Sequence, residues 1–425
     1  LGDVYKRQCV EWLKTKINDF MNTLTKDEKW LFKQHFKWDV KEPKIACIKL
    51  LAKLHKTKGK PCSEKVLEIP SRIVRGGESC PLNPYSCVLQ ILISEMINDL
   101  KLEFKNITRT NLKFPLINGC EQFRDHIDDV KLNVIDFFST VLITSDFKDA
   151  FTNLGIRQLV SAIEIASDWL KYSRARRELI IKTARLVIPN CTFITPNGII
   201  LSKSGLPIGG HSSAECLNCT LLVNEIDTIM NLGKLLKNIS SFCRLVDDCS
   251  LVVKGDFGDI IKVVKKLAAG YPDIELNMQM SPRFSSFLDY KIFNMFPGNA
   301  NIVTTMQRKP LHTYNYVKPT SNCPESHKGC AITSTLHRIF RRCNTFSDRI
   351  NEVTYTRALM ESRGYGNEFF DKKLKRFLTP NVKKVTDHTK RIRAKIPFNG
   401  VTGCLLYTSD AADDSLRVDL GGRRI

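Results

Sequence analysis

The 425-residue chain carries 65 Lys and Arg against 44 Asp and Glu, a formal net charge of +21, and 43% of its residues are hydrophobic. That composition excludes wholesale disorder, and the length leaves room for roughly two or three domains around a sizeable core. The charge excess points to a polyanionic partner, nucleic acid ahead of an anionic membrane, and no apolar run reaches the length of a membrane span.

The chain opens with LGDVYKRQ (1–8), which resembles translated sequencing adapter and is set aside from fold reasoning. Residues 9–37 carry helical periodicity with aromatic anchors. IKLLAKLHKTKGK (48–60) begins as a strand and runs into Lys53, Lys56, Lys58 and Lys60. IPSRIVRGG (69–77) then puts Arg72 and Arg75 on a short strand ending at a Gly pair. A charge run is usually a solvated face, yet two basic segments flanking one turn also suit a hairpin that grips phosphates. Residues 82–104 read as a long helix.

VLITSDFKDAFTNLG (141–155) is a strand, then Asp146, then a turn into a helix starting near Ile156. A helix over 174–187 leads to FITPNGIILSKSGLPIGG (193–210), a hairpin with Asn197-Gly198 as its turn signal. A Gly-rich bend feeds a helix from Ser213 to about Met230. SFCRLVDDCSLVV (241–253) is a second hairpin, followed by a helix over 257–268 and short strands at 274–279, 286–293 and 302–308. Residues 325–395 are helical and basic. The closing CLLYTSDAADDSLRVDLGGRRI (404–425) again resembles adapter, and since the charges of the two end segments cancel, the +21 stands without them. The 15 scattered cysteines suggest buried thiols in a reducing compartment, and with no secretory signal the expected location is intracellular, nucleus or cytoplasm.

Asp247 and Asp248 sit between two apolar runs. The bland explanation is a surface turn, since Asp favours turns. The chemical one is a pair of ligands for a divalent cation, because Mg²⁺ sites are built from a few carboxylates plus substrate phosphates. Phosphoryl transfer to a sugar hydroxyl needs positioning and two cations about 3.5–4 Å apart, which carboxylates from adjacent strands can hold. Asp146 at one strand end and Asp247 in a neighbouring hairpin would supply them. The order strand–Asp, helix, strand–AspAsp–strand, helix, strand is an α+β layout, a small antiparallel sheet with helices on one face.

DFKDAF, GLPIGG with its downstream N…E, and LVDD, in this order, resemble the core motifs of reverse transcriptases. The flanks narrow the resemblance to Penelope-like retroelement enzymes: LLAKLHK is similar to their LPKLHK, SRIV to RPIV, FTNLG to FTNIP, and FSSFLDYKIF to their FLD motif. QRKPLHTYNYVKP with ESHKGCAITSTLHRIFRRC resembles the signature that opens their thumb, so the likeness covers nearly everything between residues 40 and 400. It implies a right-hand polymerase with fingers, palm and helical thumb. The expected parts are N-terminal helices and fingers over 9–135, a palm over 136–308 with a fingers insertion at about 156–200, and a truncated thumb and connection over 309–403.

The implied activity is RNA-directed DNA polymerase, a nucleotidyltransferase extending a DNA or RNA primer on an RNA template with dNTPs and two Mg²⁺ ions, Mn²⁺ being an alternative. Asp146, Asp247 and Asp248 would be the catalytic carboxylates, with the Phe147 backbone as a further metal contact. Arg72 would hold the triphosphate, helped by Lys53 and Lys56, while Asp149, Ala150 and Gly209 would shape the nucleotide pocket. Phe151 would lie under the incoming sugar and exclude a ribose 2′-OH, the alternative being a plain core Phe. Gly205, Pro207, Gly210 and Leu245 would flank template and primer, and His337, Arg338, Arg341 and Arg342 would track a duplex backbone.

Departures from the family pattern are Leu245 for Tyr, Gly210-His211 for Ser-Pro, and Ala52 for Pro. They leave open an inactive, nucleic-acid-binding copy; an RNA-dependent RNA polymerase is a further alternative, opposed by Phe151 and the absence of GDD. Lys291 as a proton donor is a loose match. CLNC (216–219) reads as core packing rather than zinc, and so does the set Cys323, His327, Cys330 and His337.

Overall fold

The computed structural model describes residues 2–36, 44, 47–52, 71–76, 80–132, 134–195, 198–201, 205–272, 274–295, 302–308 and 316–379. In chain order they form α1 (Gly2–Thr23), α2 (Lys26–His35), β1 (Cys47–Ala52), β2 (Ser71–Gly76), α3 (Asn83–Thr108), α4 (Cys120–Asp128) and α5 (Val134–Phe138). Next come β3 (Thr140–Phe147), α6 (Ala150–Asn153), α7 (Ile156–Trp169), α8 (Arg174–Val187), β4 (Thr192–Thr195), β5 (Gly198–Leu201) and α9 (Ser213–Asn231). A 3₁₀ turn (Gly233–Asn238) leads to β6 (Ile239–Leu245), β7 (Asp248–Lys254), α10 (Phe257–Ala269), β8 (Leu276–Ser281), β9 (Phe284–Phe287) and β10 (Tyr290–Asn294). β11 (Ile302–Met306) precedes α11 (Glu325–Arg342), α12 (Phe346–Ser362) and α13 (Asn367–Leu378). The architecture is mixed helix and sheet with small, mainly antiparallel sheets, in the orders β2-β1-β4-β5, β6-β7-β3-β8 and β11-β10-β9.

Two compact units alternate along the chain. The first comprises residues 1–117 and 145–278, and the second 118–144 and 279–425. In the first, residues 2–8 belong to α1, and α2 starts at a capping box: Thr25 Oγ1 accepts from Glu28 N, and Glu28 Oε2 accepts from Thr25 N at 2.8 Å. Glu28 is buried and receives Lys182 Nζ on both oxygens, so the cap of α2 is tied to α8. α9 is the axis of this unit. Apolar and small residues face inward around nearly its whole circumference, as expected of a helix enclosed on all sides, and α3, α7 and α10 pack on it. β6 and β7 form a hairpin with Leu245 opposite Asp248, and β3 lies beside β7. β3 and β7 are buried along nearly their full length, which fits the apolar VLI and LVV stretches at their centres. The other sheet joins the β1–β2 hairpin, where Leu51 opposes Arg72, to the β4–β5 hairpin through a parallel contact at Cys47 and Ile194.

The second unit packs α11, α12 and α13 over β11, with Ile332, Leu336, Ile339, Val353, Phe370 and Leu374 in its core. The turn between α11 and α12 is anchored to β11: Asn344 N donates to Thr304 O, and Thr304 Oγ1 donates to Arg342 O. The single strand expected at 286–293 is instead two, β9 and β10. Leu288 adopts φ +54 there, and the turn aims Asp289 at α11. Asp289 Oδ2 accepts from Arg338 Nη2 at 3.2 Å and Arg342 Nη2 at 2.9 Å. α4 and α5 were not foreshadowed in the sequence; α4 joins this unit through Tyr290 Oη, which donates to Cys120 O at 2.8 Å.

Burial alone would raise the Asp289 carboxyl, but Arg342 and Arg338 outweigh it and hold the group below its usual 3.8. A carboxyl that ionises at lower pH folded than unfolded contributes stability that is present above 3.8 and lost as the pH falls through the folded-state value. Asp289→Asn is therefore expected to cost about 2 kcal/mol near neutral pH, as for hydrogen bonds to charged groups. Thermal melting followed down to about pH 2 should show a shallower acid limb in the variant than in the parent.

Candidate active site

Asp146 is the exposed position near the end of β3, after four consecutive buried residues. Phe147, which follows it, is buried with its ring 4.8 Å from that of Tyr271 in an edge-on arrangement, and this fixes the strand end. The Phe147 amide donates to Asp247 O at 3.1 Å. That bond draws the end of β3 and the β6–β7 turn together, so Asp146, Asp247 and Asp248 leave from adjoining backbone. Asp247 and Asp248 are half-buried. Beside them, Lys148 N donates to Glu275 O at 2.9 Å, and Lys148 Nζ pairs with Glu275 at 2.6 Å.

The turn itself is strained. Val246 sits at φ +56, a region that β-branched residues rarely occupy but that two-residue hairpin turns require at the first central position. Its carbonyl accepts from Arg244 Nη1 at 2.8 Å. Arg244 and Glu225 are both sealed from solvent, and Arg244 Nε donates to Glu225 Oε1. Burial pushes the Glu225 carboxyl up, against the pull of Arg244. Tyr271 Oη donates to Glu225 Oε1 at 3.1 Å, and Asn218 Oδ1 accepts from Arg244 Nη1 at 2.8 Å. The sequence reading did not single out Arg244 or Tyr271, and Glu225 entered it only as the E of the N…E that follows GLPIGG. The available signal was the charge inside two apolar runs, FCRLV and LLVNEI.

The Gly-rich bend lies against the other side of the turn that follows β3. Gly205 has φ +78, and a Cβ there would stand 2.8 Å from Thr152 O and 2.9 Å from Phe151 O. Leu206 N donates to Phe151 O, which docks the bend on α6. Ala150 is buried, Phe151 half-buried, and Asp149 exposed at φ +52 as the N-cap of α6. Pro207 is buried, Gly209 is exposed at φ +89, and Gly210 is half-buried with Ser213 Oγ donating to Pro207 O at 2.6 Å. Leu245, the last residue of β6, is half-buried.

The remaining expected site residues lie on other elements. Arg72 lies in β2, while Lys53 and Lys56 lie outside the described residues. His337, Arg338, Arg341 and Arg342 lie on α11 in the second unit and, with Ser334 and residues 118–122, line a cavity of about 610 Å³. They do not form an open stripe. Arg342 is buried and shares Asp289 with Arg338, Arg341 pairs with Glu121, and the His337 ring packs 4.9 Å from Phe377. Lys291 is exposed on β10. Cys216 and Cys219 are buried; burial pushes the Cys219 thiol up to about 12, which suits inert packing. Among the described residues, no group of three or more His, Cys, Asp or Glu side chains is placed to hold a metal ion.

Residues 315–375, which span α11, α12 and most of α13, match the family described as the animal helix-turn-helix domain. No curated protein matches the chain. Among solved structures, the chain is similar to the telomerase of Candida albicans in complex with a TWJ fragment of telomeric RNA. Identity there is 13% and the TM-score 0.48, over 83% of this chain and 59% of that one. For apo telomerase of Candida tropicalis, truncated from the C-terminal domain, the values are 15% and 0.39, over 63% and 57%. For the RNA-dependent RNA polymerase of a human picorbirnavirus they are 12% and 0.45, over 85% and 62%. The chain spans less than two thirds of the length of each of these structures.

Gly205 and Gly233 both adopt left-handed φ, but a Cβ meets nothing within 4 Å at Gly233 and backbone oxygens at Gly205. Gly233→Ala should cost about 1–2 kcal/mol, the left-handed penalty alone. Gly205→Ala should cost clearly more, and chemical denaturation of the two variants side by side measures the difference.

Proposed function

We propose that the chain is an RNA-directed DNA polymerase of a Penelope-like retroelement, extending a primer 3′-OH with dNTPs on an RNA template by two-metal phosphoryl transfer. The observation that carries this reading is the Phe147–Asp247 backbone bond, because it sets the Asp146 strand end beside the Asp247–Asp248 turn. The eight family-like motifs, in family order, support it from the sequence.

The donor set suits Mg²⁺. Carboxylate oxygens and the Phe147 carbonyl are hard ligands, and Mg²⁺ is commonly held by one or two carboxylates together with waters and substrate phosphates rather than by a closed protein cage. Asp146 and Asp247 would hold the ions, with Asp248 as the second member of the turn. The ions would lower the barrier by neutralising charge on the attacking and leaving oxygens. The chain's own part is positioning. Phe147 and the turn would fix the carboxylates, the amides of Asp149 and Ala150 would face the triphosphate, Phe151 would lie under the sugar, and Gly205 to Gly210 would leave space beside the nascent pair. Arg72 would clamp the phosphates with its planar fork, Lys53 and Lys56 assisting. Fingers, palm and thumb are the layout this function calls for.

Primer extension on an RNA template with Mg²⁺ tests the reading. Asp247→Asn should lower the rate on the order of 10²-fold or more while leaving primer–template affinity within a few fold. Equal synthesis by parent and variant would remove the metal-site reading, and salt-sensitive binding without extension by either would establish an inactive relic. Phe151→Ala should raise ribonucleotide use relative to deoxynucleotide use by about tenfold or more, the scale on which pocket shape discriminates. A parent that already prefers ribonucleotides would point to an RNA polymerase.

A further inference from the structure

Val246 occupies a conformation its side chain disfavours, and such strain persists only where the surroundings over-determine it. Besides the β6–β7 ladder and the Phe147–Asp247 bond, a guanidinium holds the Val246 carbonyl. Arg244 donates from Nε to Glu225 Oε1, from Nη1 to Asn218 Oδ1 and Val246 O, and from Nη2 to Asn218 O and Glu225 Oε2. A guanidinium has five N–H donors, and these contacts employ all of them. The backbone of Arg244 is held as well: its N donates to Pro115 O at 2.8 Å, and its O accepts from Ile117 N at 2.9 Å. A side chain so constrained cannot follow the turn. The turn must instead meet a fixed donor, and the next residue along is Asp247.

We propose that Arg244 is a positioning residue, a clamp that holds the Val246 carbonyl and thereby fixes the Asp247 backbone against Phe147. Glu225, Asn218 and Tyr271 hold the clamp in turn. The inference rests on the metal-site reading above for its functional consequence, though not for its structural one. Removing the donor to Val246 O takes away the side-chain bond that helps offset the left-handed strain, so the turn relaxes and the Phe147–Asp247 bond loosens. A glycine at 246 adopts positive φ without strain and makes the clamp dispensable.

The experiment uses the full chain and the double variant Arg244→Met/Glu225→Gln, which removes the clamp without leaving a lone buried charge. Hydrogen exchange is followed at the Phe147 amide and across residues 244–249, and Mn²⁺ binding is titrated by electron paramagnetic resonance. The double variant should melt close to the parent, exchange about tenfold faster at Phe147, and bind Mn²⁺ about tenfold more weakly, the scale on which outer-shell partners act. Adding Val246→Gly should restore both. Where the double variant does not fold, Arg244→Lys replaces it, since an ammonium answers Glu225 but cannot fork to Val246 as well. Unchanged exchange at Phe147 in the folded variants, or no recovery on adding Val246→Gly, overturns the clamp. Asp247→Asn with undiminished Mn²⁺ binding overturns the metal-site reading instead, and the exchange result still decides the clamp because it needs no metal.

Discussion

Sealing a guanidinium from water costs several kcal/mol, about what an ion loses on entering a protein interior, unless each donor is answered. Arg244 is answered by two residues of α9, Asn218 and Glu225, and by the Val246 carbonyl in the turn that follows its strand. Asn218 and Glu225 lie two turns apart on one helix face, so the arginine reads a fixed stretch of α9. A one-residue slip of β6 would send Arg244 to the opposite face of the sheet and leave Glu225 buried without a partner. The pair therefore specifies register and crossing of β6 against α9. That function matters more than its net contribution to stability, which for buried ion pairs is often small.

α9 ties this clamp to the Gly-rich bend. Its N-terminal end is held by Ser212, whose N donates to Ser86 Oγ of α3, and by Ser213, whose Oγ caps Pro207 O. The bend then leans on the backbone of Phe151 and Thr152, with no room for a side chain at Gly205. One enclosed helix thus positions two separate loops: the bend at its start and the Asp247 turn beside its middle. Both loops are irregular and partly exposed, as functional loops are, while the element that aims them is buried and regular.

Much of this order was legible in the sequence where the periodicity was strong. The α8 boundaries, the β6–β7 hairpin and the start of α9 follow from apolar spacing, a Ser cap and turn residues. The strand expected over 286–293 was split because Leu288, an apolar residue with no turn propensity, takes φ +54 between two short strands. α4 and α5 went unread because they are short and their partners lie far away in sequence. At the candidate site, the carboxylates were visible as residues out of place in apolar runs. Arg244 and Glu225 were equally out of place, but their pairing is a long-range fact that no local pattern encodes.

The charge excess is distributed by the same long-range facts. Internal ion pairs remove one charge of each sign and leave the +21 unaltered, so they decide only where the excess is presented. Arginines take many of the carboxylates in the interior and at element junctions, including Glu225, Asp289, Glu352 and Asp371, as their planar forks favour. On α11 this divides residues that looked equivalent in sequence. Arg342 is buried with 8% of its side chain exposed, so handing it to a phosphate would leave Asp289 to Arg338 alone and loosen the β9–β10 turn. Arg341 and its partner Glu121 are 30% and 50% exposed, and a solvated pair of that kind contributes little to stability. Exchange of Glu121 for a phosphate oxygen therefore costs the fold little. If a polyanion meets α11, Arg341 is the arginine that can let go of its carboxylate to receive it, and Arg342 is the one that keeps the helix where Arg341 needs it.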